Sequence, residues 1–203
     1  MSEMAAAIGF SKGWPANAED GDEMDVTGLF TWASAYFSAA EQLNFSEIND
    51  HHAPFYCGPV MQNVGLATEL MLKTMLRGCG KSMQEIKKYS HDTYKLYCDA
   101  RACFDEVKFI NLHISNTNHL ALPEEVRRRF DLRGEEDVET RWRVYFDHLR
   151  LLDSVYDRPY RSRYVTPGEA ILPETEIVLI GTKILLNAMG ERLATIGSYR
   201  VTR

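Results

Sequence analysis

The stretch from Val60 to Gly80 leaves the chain few folds to choose from. Val60, Val64, Leu66, Ala67, Leu70, Met71, Leu72, Met75 and Leu76 cover most of a helical circumference. A helix apolar on nearly every side belongs in the centre of a protein, with other elements packed around it. Pro59 is a favoured first helical position, and Gly78 and Gly80 give the C-terminal stop. Within this helix Glu69 and Lys73 stand one turn apart in the favoured orientation. A charge pair on so apolar a helix is partly buried, and buried charges need partners.

Other helices follow from periodicity. Leu29, Trp32, Ala33, Tyr36, Phe37 and Ala40 predict a helix over 27–43, with Thr27 as N-cap. Residues 44–58 read as a loop, in which His51 and His52 are solvated rather than metal ligands. After the Gly turn, residues 81–88 read as a short helical turn or loop. A third helix starts with Ser90 as N-cap and Asp92 in its first turn. Its core stripe is Leu96, Ala100, Cys103 and Val107, and it ends between Phe109 and His113. A short helix covers 123–130. Val138, Trp142, Tyr145, Leu149, Leu152 and Tyr156 then follow spacings of 4, 3, 4, 3 and 4, which predicts one long helix over 135–156. The last helix starts at Pro173 and closes at Gly197. With no convincing strand, the class is all-α: a single-domain bundle of about five main helices over 26–197. Residues 1–25 form a flexible acidic arm, pinned by Phe10 and Trp14, and 198–203 a tail.

Composition narrows the setting. The net charge of −6 disfavours a broad nucleic-acid-coating surface. Cys57, Cys79, Cys98 and Cys103 make no C-x-x-C pair, and the N-terminus has no secretory pattern. Free thiols in a cytoplasmic protein are expected. No apolar run is long enough to span a membrane. No motif asks for a metal or a cofactor.

Two constellations carry the chemistry. In the first, Glu69, Lys73, His91 and Asp92 meet Arg158, Arg161 and Arg163 of a late loop. They form either a structural network or a pocket for a small anion. In the second, Tyr156, Tyr160 and Tyr164 interleave with Arg158, Arg161 and Arg163, the mixture that single-stranded RNA binding uses. Between Arg127 and Arg163 ten arginines face eight acids, so a solvated, ion-paired face competes with that reading.

These residues carry a resemblance. The run Glu69-Leu70-Met71-Leu72-Lys73, the Gly turn at Gly78 or Gly80, His91-Asp92 and the late Arg163-Tyr164 are similar to the pattern of HEPN-like (higher eukaryotes and prokaryotes nucleotide-binding) proteins. The resemblance implies an up-and-down bundle, often a homodimer. It also implies association with RNA, or a toxin or defence role beside a nucleotidyltransferase-like antitoxin. Ribonuclease members carry Arg-x4-6-His. Here Arg143 and Arg141 precede His148 with four and six residues between. Trp142 and Val144 stand where the family has a polar residue after the Arg. If the site were catalytic, His148 would be the general acid/base and Arg141 or Arg143 would stabilise phosphorane charge, without a metal. The alternative is a non-catalytic binding or protein-interaction bundle.

Overall fold

The computed structural model describes residues 7–16, 24–49, 53–134, 136–156 and 171–201, with 45–49, 53–57 and 197–201 as backbone only. Among these residues there is no strand. Nine α-helices have defined bounds, in place of about five. They are α1 (Val26–Asn49), α2 (Ala53–Gly78), α3 (Met83–Lys87), α4 (Thr93–Ala100), α5 (Glu106–Thr117), α6 (Glu124–Asp131), α7 (Val138–Trp142), α8 (Tyr145–Tyr156) and α9 (Thr175–Val201). A 3₁₀ turn, Arg101–Cys103, lies between α4 and α5. No helix of the described residues is long and apolar enough to cross a membrane.

α2 is the central helix. Val60, Val64, Ala67, Met71, Leu72, Met75 and Leu76 are all at most 1% exposed, while Gln62, Asn63, Leu66, Leu70 and Lys73 make a half-buried face. α1, α4 and α8 pack against it, and α9 touches α1, α2, α5 and α8. Two expectations fail at its start. The loop over 44–58 is mostly helix, and Pro59 lies inside α2 rather than at its first position. A proline interrupts one backbone hydrogen bond. The buried surface of the residues that follow holds the helix together across that gap.

Two helices read as continuous are broken. The helix expected from Ser90 is instead α4, the 3₁₀ turn and α5. Asp105 caps α5, accepting from Lys108 N at 3.2 Å. The freed backbone is paired by the N-terminal segment: Ser11 N donates to Cys103 O, and Asp105 N to Ile8 O. The break shifts the helical phase, so Val107 is 68% exposed and Phe109 fills the core position. The helix expected over 135–156 is interrupted at Arg143 and Val144, where bonds to the third residue back replace those to the fourth. Its apolar stripe survives, with Trp142, Tyr145, Leu149, Leu152 and Tyr156 buried. α9 runs through Gly197 to Val201.

Residues 7–16 lie against the bundle. Ile8 and Trp14 are buried, Phe10 stacks on Trp14, and Trp14 Nε1 donates to Met75 O at 3.0 Å. Gly78 makes room, since a Cβ there would lie 2.3 Å from Trp14 Nε1. This packing brings the end of α2 beside the 3₁₀ turn, and Cys79 and Cys103 are joined in a disulfide with Cα atoms 6.2 Å apart. The expectation of four free thiols is corrected for that pair. Cys98 is a free, exposed thiol. His51, His52 and the Cys57 side chain lie outside the described residues.

Candidate functional site

Glu69 is the centre of a buried polar network. Its Oε1 accepts from Lys73 Nζ at 2.5 Å, and its Oε2 accepts from His91 Nδ1 at 2.9 Å and Tyr156 OH at 2.5 Å. Lys73 also donates to Ser90 O at 2.9 Å. Three segments therefore meet: α2, the turn before α4, and the end of α8. Ser90, expected as an N-cap, instead has φ +53°, the left-handed region, in the turn whose carbonyl meets Lys73. Asp92 takes over the cap, accepting from Lys95 N at 2.7 Å, and stands apart from the Glu69 network. Burial pushes the Glu69 carboxyl up. The Lys73 ammonium and the hydrogen bonds from Lys73, Tyr156 and His91 outweigh burial and hold the carboxyl below its usual range.

The sequence reading brought Glu69, Lys73 and His91 together, and the structure does the same. Tyr156, which the sequence places with the aromatic stretch, joins them through Glu69 Oε2. The trace of its role is Gly65, one turn before Glu69, where a Cβ would lie 2.3 Å from the Tyr156 ring. Arg158, Arg161, Arg163, Tyr160 and Tyr164 lie outside the described residues. Asp153 was also missed. It accepts from Thr93 N (2.8 Å), Thr93 Oγ1 (2.6 Å) and Tyr94 N (2.9 Å), so α8 caps α4. Burial pushes its carboxyl up to about 6 against those donors.

The Arg–His constellation is assembled differently. Glu174 N donates to His148 Nδ1 at 3.1 Å, which makes Nδ1 the acceptor and puts the ring proton on Nε2. Nε2 then donates to Trp142 O at 2.6 Å. Both ring nitrogens are thus engaged by backbone, and burial lowers the imidazole pKa. Arg143 is equally occupied. It donates to Thr117 O (3.0 Å), Glu139 O (2.7 Å) and Leu120 O (2.7 Å), and touches Glu139 Oε2 at 3.2 Å. Thr117 is the last residue of α5, so this guanidinium serves carbonyls that the helix end leaves open. Arg141 is exposed and shares with His148 the lining of a cleft of about 790 Å³ between α6, α8 and the approach to α9. Arg129, Arg133 and Arg150 line the same cleft.

His113 is a second buried imidazole, bonded through Nε2 to Ile177 O at 3.0 Å. Burial pushes it down to about 4 from an ordinary 6.5. Between those values the unfolded chain binds the extra proton. The stability contributed is full above pH 6.5 and is lost as pH falls toward 4. The shift corresponds to about 3 kcal/mol. Unfolding free energies of the wild type and His113→Gln, each taken at neutral pH and near pH 4.5, check this. The wild type is expected to lose roughly 2–3 kcal/mol more than the variant. The opposing contribution of Asp153 is common to both and cancels. Equal losses would mean that His113 is not held neutral.

Fold and network define an all-α, single-domain helical bundle among the described residues, tied by a Glu-Lys-His-Tyr cluster around the buried Glu69. Compared with protein-family models, with curated proteins and with solved structures, the chain matches none of them. Among the described residues, no group of three or more His, Cys, Asp or Glu could hold a metal ion.

Proposed function

We propose that this chain is a HEPN-like bundle acting as a non-catalytic binding or interaction module, with the Glu69 cluster as its structural tie. The observation that carries this reading is the occupation of His148. A general acid/base must exchange a proton with substrate through a ring nitrogen. Here Nδ1 and Nε2 are both spent on backbone groups, and Arg143 is spent on three carbonyls. The cluster around Glu69 is likewise filled from within, each carboxylate oxygen having its own donors. Its partners within this reading are a small anion, a second copy of the chain, or a protein such as a nucleotidyltransferase-like antitoxin.

One observation favours the ribonuclease reading, in an RNA-associated or defence role: Arg141 and His148 line one cleft. RNA cleavage by the wild type, His148→Ala and Arg141→Ala decides between the two. The binding-module reading expects equal, background-level cleavage from all three. Cleavage by the wild type that falls in Arg141→Ala overturns it. Arg141 is exposed, so that variant tests chemistry without disturbing the core.

A further inference from the structure

The cleft between α6, α8 and the approach to α9 concentrates positive charge in a chain whose net charge is −6. Arg129, Arg133, Arg141 and Arg150 line it, against Asp147 and Glu174. All four arginines are exposed, with Arg129 ion-paired to Glu125 at 2.5 Å and Arg150 over the Tyr94 ring. Burial raises the carboxyl of Asp147, and Arg150 and Arg141 both act on its charge against that. The floor is apolar: Trp142, Phe130 and Leu172 belong to the cleft, and Trp142 and Phe130 join a small apolar cluster set apart from the main core.

Building on the binding-module reading above, we infer that this cleft binds a small organic anion: a carboxylate or phosphate carried on an apolar or aromatic body. Guanidiniums recognise planar or tetrahedral oxyanions through paired N–H donors. The aromatic floor takes the body, and arginine beside indole suits a flat ring. Three features favour a small molecule over a polynucleotide. The volume of about 790 Å³ lies within the range of small-molecule sites. The arginines of the lining are interrupted by apolar side chains and by Asp147 and Glu174, whereas a strand track needs a continuous basic groove. Glu124 and Glu125 are exposed in the first turn of α6, Glu125 ion-paired with Arg129 of the cleft, and add negative charge that would repel a continuing phosphate chain.

The probe is 1-anilinonaphthalene-8-sulfonate, an aromatic body bearing one anionic group, titrated into the folded full-length chain. Saturable one-to-one binding is expected. 1-Naphthyl phosphate and 1-naphthoate should displace it, and their order tells which oxyanion the guanidiniums prefer. The double variant Arg141→Ala/Arg150→Ala should bind about tenfold or more weakly, as expected for loss of charged hydrogen bonds, while still unfolding cooperatively above the assay temperature. Rising salt should weaken wild-type binding. Three results overturn the inference: no saturable binding, equal affinity for uncharged N-phenyl-1-naphthylamine, or displacement by a short single-stranded oligonucleotide at far lower concentration than by naphthyl phosphate. None of these touches the non-catalytic reading, which fails only if the RNA assay shows cleavage that depends on Arg141.

Discussion

Glu69→Ala is expected to destabilise the protein by about 3–5 kcal/mol, the range for breaking one partner out of a buried ion pair. The substitution removes the acceptor for three donors at once. Lys73 keeps its charge with only Ser90 O beside it, and the phenol of Tyr156 and Nδ1 of His91 lose their carboxylate. For a chain of this size the melting temperature should fall by roughly 6–20 °C. Replacing both members, Glu69→Leu with Lys73→Met, should cost less than Glu69→Ala alone, because no uncompensated charge is left in the core. Thermal melts of Glu69→Leu, Lys73→Met and the double variant form a cycle with the wild type. A coupling well above about 0.5 kcal/mol is expected, since the two groups touch. An unchanged melting temperature in Glu69→Ala would show that water, not the fold, satisfies the carboxylate. The carboxyl is held low, so this stabilisation is present at neutral pH and is lost as pH falls below the ordinary carboxylate range.

Part of that network was legible because charge on an all-apolar helix has one explanation. Glu69 and Lys73 had to be buried, and buried charge had to find partners, so His91 at the next helix start was a natural candidate. Tyr156 was not legible in the same way. It lies 87 residues from Glu69, and only Gly65, an unexplained gap in an apolar helix, records the ring seated against it. The breaks in the long helices are hidden for a related reason. Apolar spacing reports which residues face inward, and it passes unbroken through Trp142 and Tyr145 although the backbone turns between them. What breaks the backbone is a set of hydrogen bonds to distant carbonyls, and these leave no periodic mark. At α4 and α5 the break did move the stripe, from Val107 to Phe109, because the N-terminal segment inserts its own backbone there. The Cys79–Cys103 pair depends on that same insertion. A separation of 24 residues carries no motif.

Arg143→Ala is expected to cost about 3–5 kcal/mol, with a fall in melting temperature of roughly 6–20 °C. The guanidinium is buried and bonded to carbonyls from three places: Thr117 at the end of α5, Leu120 in the loop beyond, and Glu139 in α7. Each buried carbonyl left without a donor carries a desolvation cost of about 1–3 kcal/mol. The side chain also determines why α7 ends where it does. Arg143 N bonds to the third residue back, and the side chain returns to Glu139 O, one turn earlier in the same helix. Arg143→Lys should recover only a minor share of the loss, because one ammonium cannot reach three carbonyls with the geometry of a planar fork. Chemical denaturation of both variants measures this. If Arg143→Lys is as stable as the wild type, the fork is not what holds the end of α5. If Arg143→Ala is folded and unchanged in stability, the side chain is free for another task, and its match to the Arg-x4-His pattern regains its catalytic meaning. The expected outcome assigns Arg143 to the architecture and leaves Arg141 as the exposed arginine of that pattern that lines the cleft.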